Sequence, residues 1–245
     1  MSETALAGVR IVLVEPAGAL NVGAIARVIK NFGLQQLVLV NPQCDPQSLE
    51  AQQMAVHAAD VLLSAQSVAT LPQALVGCTR AIATTARIRD TPNTTLEHPR
   101  AALSWLIDAS PTALIFGPEY RGLSNEELNY AQRFVRIPTS DQYPSLNLAT
   151  AVAICCYELS QCLVDIDTAI ALPEAASLDI LEGYYQQLET VLLQIGYLYP
   201  HTAASRMQKF RQIFNRAQLQ TSEVAMLRGI LTQIEWATQH QSKQD

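Results

Sequence analysis

The sequence predicts an α/β domain built on a parallel sheet, followed by a helical C-terminal extension. Short apolar runs recur up to Ile137 with helix-length stretches between them, the alternation that builds a doubly wound sheet. The runs are near-continuous and do not alternate with polar residues, as expected of strands covered on both faces. Beyond Val164 the strand pattern stops and three amphipathic helical stretches follow.

Five runs read as strands: residues 9–14 (VRIVLV), 37–40 (LVLV, ended by Asn41-Pro42), 80–84 (RAIAT), 112–116 (TALIF) and 134–137 (FVRI). The first helix is punctuated by Asn21 as N-cap and Gly33 as C-cap. Its Val22, Ile25, Ala26 and Ile29 share one face, and Arg27, Lys30 and Asn31 share the other. Ser124-Asn125-Glu126-Glu127 has the form of a capping box opening another helix. Tyr143-Pro144-Ser145-Leu146-Asn147-Leu148 is a polar turn that leads into a helical run in which Glu158 is the only charge between Leu146 and Val164. A run that apolar is a buried or interface helix. The predicted domains are residues 1–164, a linker at 165–176 and a helical extension at 177–245. The extension's helices are predicted near 177–195 (stopping at Gly196), near 203–217 (apolar stripe Met207, Phe210, Ile213, Phe214) and near 222–239 (Leu227, Ile230, Leu231 and Ile234 in register).

Of the 245 residues, 49% are hydrophobic and 16% charged, enough apolar material for a large core and too much for a disordered chain. The formal net charge of −6 weighs against a nucleic-acid partner on composition alone, because phosphate contacts need clustered Lys and Arg. The distribution of charge points the other way. No Lys or Arg occurs between Arg136 and Arg206; Arg27, Lys30, Arg87, Arg89 and Arg121 lie in or beside candidate loops, and Arg206, Lys209, Arg211 and Arg216 crowd the tail. Local basic patches of that kind can hold a polyanion. Five Cys without a C-x-x-C pair read as buried reduced thiols of a cytoplasmic protein. Four singly placed His give no metal-ligand spacing. A basic region followed by an apolar core is absent from the N-terminus, and no apolar run reaches the ~20 residues needed to span a bilayer.

In open α/β sheets ligands bind beyond the carboxyl ends of the strands, and four loops qualify. Gly18 to Gly23 has the glycine spacing of a P-loop, but Ala24 and Ile25 stand where Lys and Ser/Thr are required, and G-x-G-x-x-G is absent. Residues 84–90 carry Thr84, Thr85, Ala86, Arg87 and Arg89. Residues 117–123 carry Gly117, Arg121 and Gly122. Residues 138–147 lead into the Ser145–Asn147 turn. These loops offer backbone donors, hydroxyls and Arg with no nucleophile–base pair. That inventory suits an uncharged adenosine-type cofactor and a phosphate-bearing substrate better than hydrolysis. Taken singly, Arg27 is a solvated helix residue, Ser145 and Asn147 are helix caps, and Gly117 and Gly122 make a turn.

Together the loops resemble the SPOUT superfamily of RNA methyltransferases, in its TrmH-like 2′-O-ribose methylating branch. Asn21-Val22-Gly23-Ala24-Ile25-Ala26-Arg27 through Gly33 is similar to the first family motif. Ile115-Phe116-Gly117-Pro118-Glu119 with Gly122-Leu123-Ser124 is similar to the second, and Ile137-Pro138 with Ser145-Leu146-Asn147-Leu148-Ala149 to the third. The tail, at Arg206 to Phe214 and Leu227-Arg228-Gly229-Ile230-Leu231, resembles the helical extension of the TrmJ group of bacterial tRNA methyltransferases, which implies that residues 177–245 bind RNA. The resemblance implies a SPOUT-type sheet with a C-terminal trefoil knot, and a homodimer formed through the knot helix and the first helix. It implies S-adenosylmethionine held by Thr84, Thr85, Ala86, Gly117, Ile137, Pro144, Ser145 and Leu146, and no metal. By the same resemblance Arg27, Ser145 and Asn147 are the catalytic residues. Arg27 would act by its charge on the neighbouring phosphate and hydroxyl, since guanidinium is practically never deprotonated. Arg87, Arg89 and Arg121 would hold RNA phosphates. The implied reaction is 2′-O-methylation of cytidine or uridine at nucleotide 32 of a tRNA anticodon loop. Methylation of another tRNA or ribosomal RNA ribose is the alternative, as is a non-catalytic RNA-binding dimer.

Overall fold

A computed structural model describes residues 6–85, 95–107, 109, 111–163 and 175–241. The chain divides into two compact units, Met1–Leu172 and Pro173–Asp245. All but the last two residues of the expected linker lie outside the described residues.

Among the described residues, the first unit is organised by seven strands: β1 (Val9–Val14), β2 (Gln36–Val40), β3 (Gln66–Val68), β4 (Arg80–Thr84), β5 (Leu96–Glu97), β6 (Thr112–Phe116) and β7 (Arg133–Val135). Their order is β3-β2-β1-β6-β4-β7-β5, and every neighbouring pair is parallel. Alternate residues on both faces are buried: Ile11, Leu13 and Leu114 on one, Val12, Ala113 and Ile115 on the other. That is why the strands read as unbroken apolar runs. β3 and β5 escape sequence reading because they are short and polar, carrying Gln66, Ser67 and Glu97 at the sheet's two edges. The last predicted strand ends at Val135, so Arg136 and Ile137 belong to the loop beyond it.

Eight helices accompany the sheet among the described residues: α1 (Ala19–Asn31), α2 (Leu49–Ala55), α3 (Ala59–Ser64), α4 (Leu71–Ala74), α5 (Pro99–Ala102), α6 (Ser104–Ile107), α7 (Asn125–Leu128) and α8 (Leu148–Cys162). α1 buries Val22, Ile25, Ala26 and Ile29 as its periodicity requires, and Gly33 turns the chain out of it at φ +72°. Its start differs from the expectation. Gly18 takes the cap position and Asn21 sits inside the first turn, where its side chain is free to bond elsewhere. Gly23 faces α2 so closely that a Cβ would collide with the Ala51 carbonyl. α7 opens with the expected capping box of Ser124 and Glu127. α8 is capped by Asn147, whose Oδ1 accepts from Thr150 N at 3.2 Å. α8 buries Leu148, Val152, Cys155, Cys156 and Leu159 in the same core as α1. Its lone charge, Glu158, pairs with Arg100 at 3.3 Å. Burial pushes the Cys155 thiol up to about 12, with Glu158 adding to the effect, so this cysteine is an inert core residue.

The second unit packs α9 (Leu178–Gln194), α10 (Ala203–Ala217) and α11 (Thr221–Gln241) around Leu181, Tyr184, Tyr185, Leu188, Val191, Met207, Val224 and Leu231. Tyr184 meets Phe214 edge-to-face at 5.3 Å. Arg211 forks onto Glu182 (2.6 and 2.8 Å) and covers the Tyr185 ring at 4.5 Å. Two expectations fail here. Ile213 and Ile230, assigned to apolar stripes, are about half exposed (50% and 53%).

Gly23→Ala should therefore destabilise the first unit by about 1–3 kcal/mol through overpacking. Gly229→Ala, in α11 with open space around it, should stabilise by up to about 1 kcal/mol. Thermal unfolding of the two variants followed by circular dichroism measures both signs.

Candidate active site at the carboxyl ends of the sheet

The strand order places β6 between β1 and β4, so the chain leaves the sheet in opposite directions around this point. The crevice at such a switch point is where α/β sheets bind ligands. Register brings the strand ends level, with Leu13 opposite Phe116, Ala83 opposite Ile115 and Thr84 opposite Val135. The loops that follow β4, β6 and β7, with the turn into α8, enclose a cavity of about 290 Å³. Phe116, Leu123, Val135, Ile137, Leu148 and Ala151 supply its apolar wall. Thr84, Thr85, Glu119, Arg121 and Ser145 supply its polar groups.

One carboxylate ties the loops together. Glu119 accepts from the Ala17 and Gly18 backbone amides (3.1 and 3.3 Å) and from Asn21 Nδ2 (2.8 Å). Asn147 Nδ2 in turn donates to Asn21 Oδ1 at 3.0 Å. The start of α1, the turn after β6 and the start of α8 are thus joined through three side chains. Burial raises the Glu119 carboxyl, but the bonds from Asn21 and the backbone amides outweigh it and hold the group below its ordinary value. A carboxylate beside the free amides of a helix N-terminus is well placed for its charge.

The 117–123 turn is built by close approach. A Cβ on Gly117 would collide with the backbone of Gly122 and Leu123, so only glycine lets the turn fold back on itself. Arg121 then braces it. The guanidinium bonds both oxygens of Glu127 at 2.8 Å, Glu15 at 2.8 Å and the Gly122 carbonyl at 3.0 Å. Glu127, and then Glu15, raise the guanidinium against the opposing effect of burial. A cation shared by two carboxylates has little left to offer a phosphate. Arg121 therefore braces the pocket wall.

Thr84, Thr85, Gly117, Ile137, Pro144, Ser145 and Leu146 all line the cavity. The Thr84 hydroxyl donates to the Ile115 carbonyl across the sheet at 3.1 Å. Ser145 is exposed at the mouth and has no hydrogen-bond partner among the described residues. Asn147 is bonded into the Glu119 chain beside that mouth. Arg27 is exposed on α1, with no ion pair among the described residues, and is not part of the cavity wall. Ala86, Arg87 and Arg89 lie outside the described residues. Sequence reasoning placed Glu119 in the second motif without a role and read Asn21 as a helix cap. The one available signal was an acid directly after Gly117-Pro118 at a strand end. Among the described residues no group of three His, Cys, Asp or Glu is placed to hold a metal ion, and no helix is long and apolar enough to cross a membrane.

A parallel sheet opening on this cavity, with a glycine turn, a Ser-Leu-Asn helix mouth and a three-helix tail, defines a methyltransferase of the SPOUT type. The chain belongs to the SpoU rRNA methylase family, whose model matches residues 8–157. The model of the tRNA methyltransferase TrmJ C-terminal domain matches residues 179–244. The tRNA (cytidine/uridine-2′-O-)-methyltransferase TrmJ of Pectobacterium atrosepticum is 40% identical over 237 residues, covering 94% of this chain and 98% of the relative. The crystal structure of TrmJ from Z. mobilis ZM4 superposes with a TM-score of 0.82 at 29% identity, covering 92% of this chain and 98% of the other. A structure concerned with 2-OH methylation of C/U34 on tRNA matches with a TM-score of 0.51 at 25% identity, over 64% of this chain and 91% of the other.

Glu15, Glu119 and Glu127 are all held below the ordinary carboxylate value. Their contribution to stability is thus in place above about pH 4.5 and is lost as pH falls through their lower folded values. Melting temperatures recorded from neutral to acid pH should fall below that point in the parent. Glu119→Gln should start lower at neutral pH and lose less on acidification; parallel curves would remove Glu119 from this role.

Proposed function

We propose that this chain transfers a methyl group from S-adenosylmethionine to the 2′-hydroxyl of a ribose in the tRNA anticodon loop, cytidine or uridine at nucleotide 32. The observation that carries this reading is the pairing, in one chain, of the switch-point cavity with a C-terminal unit of the TrmJ type. The residues present fit the cofactor. The apolar wall suits the faces of an adenine, the strand-end backbone suits its edge, and hydroxyls and amides line the mouth. When bound there, S-adenosylmethionine supplies a methyl already activated on a sulfonium.

The chain's task is then placement more than proton abstraction, and holding reactants in line supplies much of a rate of this kind. Ser145, unpartnered at the mouth, is free to bond the ribose or the polar end of the cofactor. Asn147, oriented by Asn21 and Glu119, keeps one amide hydrogen for the same purpose. Arg27 would bind the phosphate beside the target ribose and ease loss of the hydroxyl proton by its positive charge. Arg87 and Arg89 would hold further phosphates. The reading includes a C-terminal trefoil knot, a cytoplasmic location and a homodimer formed through α1 and α8. The apolar length of α8, with Glu158 its single charge, and the exposed Leu20 and Tyr157 support the pairing.

The neighbour concerned with C/U34 keeps a second position in view. Labelled methyl incorporation into tRNA, compared with ribosomal RNA and with tRNA carrying a 2′-deoxyribose at nucleotide 32 or 34, tests the assignment. Incorporation lost only with 2′-deoxy-32 is expected. Loss only with 2′-deoxy-34, or incorporation into ribosomal RNA, replaces the substrate; no incorporation with bound cofactor leaves a non-catalytic RNA-binding dimer. Arg27→Ala should lower methyl transfer by about 10²-fold or more, with cofactor affinity by calorimetry within about twofold of the parent. Loss of both would sink the role given to Arg27.

A further inference from the structure

The exposed face of α10 carries a charge pattern that the cavity does not use. No Asp or Glu occurs between Glu189 and Glu223. Within that stretch Arg206, Lys209, Ile213 and Arg216 are all exposed. At 100° per residue they fall within an arc of roughly 80°, and Arg206 to Arg216 spans about 15 Å. Lys209 and Arg216 pair with no carboxylate among the described residues. Arg211, on the opposite face, is neutralised by Glu182.

The turn into α10 adds flat rings. Tyr197 (51% exposed) lies 5.6 Å below the Arg206 guanidinium, and Tyr199 (56% exposed) stacks on His201 with centroids 5.9 Å apart. The Tyr199 carbonyl accepts from Thr202 N and Ala203 N (2.8 and 2.9 Å), which holds this turn against the first turn of the helix. An ordinary solvated face carries both signs of charge and buries its rings. Here the carboxylates are excluded while two tyrosines and Ile213 are left in water, the composition of a site that takes phosphates and unstacked bases.

We infer that this face grips a single-stranded or loop segment of RNA, with Arg206, Lys209 and Arg216 on successive phosphates and a base stacked on the Tyr199–His201 pair. The inference rests on the proposed function for its partner, tRNA, and deepens it by naming where the second unit makes contact.

The test uses the full chain and an unmodified tRNA transcript, with affinity measured between about 50 and 200 mM salt. The triple variant Arg206→Gln, Lys209→Gln, Arg216→Gln should bind at least tenfold more weakly at the low end. Its salt slope should fall by about two, as expected for three lost phosphate contacts. Arg206→Lys with Arg216→Lys should keep most of the affinity, which separates charge from folding. Tyr199→Ala should weaken binding about fivefold or more at an unchanged slope. An unchanged slope in the triple variant, or Tyr199→Ala binding as tightly as the parent, overturns the inference; the second outcome alone would mark a general polyanion or acidic-protein surface. A parent that binds tRNA steeply yet transfers no methyl would remove the proposed function and leave this surface in place. Normal methylation with normal binding by the triple variant would do the reverse.

Discussion

The architecture of the site depends on the charged carboxylate of Glu119. Three loops leave the sheet at the same level, and none has secondary structure of its own to fix it against the others. Glu119 accepts from the two amides that precede α1 and from Asn21, and Asn21 passes the connection to Asn147. Asn147 is also the cap of α8. The entry of one helix, the turn after β6 and the entry of another therefore move as one piece. Gly117 allows the turn to come close enough for this, and Arg121 locks its far side to Glu15 and Glu127. The chain lies at the surface of the site, and each of these carboxylates is held in its charged form.

The same network decides what kind of chemistry the cavity can host. Its acids are committed to amides and to Arg121, so none of them is placed as a free base. Among the described residues, the groups left open at the mouth include the Ser145 hydroxyl and part of the Asn147 amide, both neutral. Such a site can orient and exclude, and it can do little proton chemistry of its own. That matches the proposed transfer from an activated methyl donor, where placement carries most of the burden. For the proposed transfer, the rigidity supplied by Glu119 would be the asset, because small errors of placement are costly in this class of reaction.

Much of the fold was legible because it is written in local pattern. The strands at 9–14, 80–84 and 112–116 coincide with their apolar runs, and Ser124 and Asn147 cap the helices their types predict. The errors share a physical cause. Asn21 looks like a cap by type, yet its partners lie 98 and 126 residues away; no local pattern announces such a pairing. The bond of Arg121 to Glu15, 106 residues distant, is equally invisible to local pattern. Ile213 and Ile230 sit at helical spacing with buried neighbours, but a three-helix unit covers only a narrow stripe of each helix, and both fall outside it. Strands as short and polar as β3 and β5 carry no hydrophobic signal at all.

The net charge illustrates the difference between counting and placing. A total of −6 argues against RNA, but the total treats all cations alike. The structure sorts them. Lys30 is bound to Asp60, Arg100 to Glu158, Arg121 to Glu15 and Glu127, Arg133 to Glu97 and Arg211 to Glu182. Those charges cancel within the molecule and project little field. Arg27, Arg206, Lys209, Arg216 and Arg228 have no carboxylate partner among the described residues, and all five are exposed. The attraction felt by a polyanion at close range is set by this unpaired minority, since distant charges are screened beyond about 10 Å. An acidic chain can therefore hold RNA at a few chosen places while its remaining surface repels it, and that contrast favours one docking register over many.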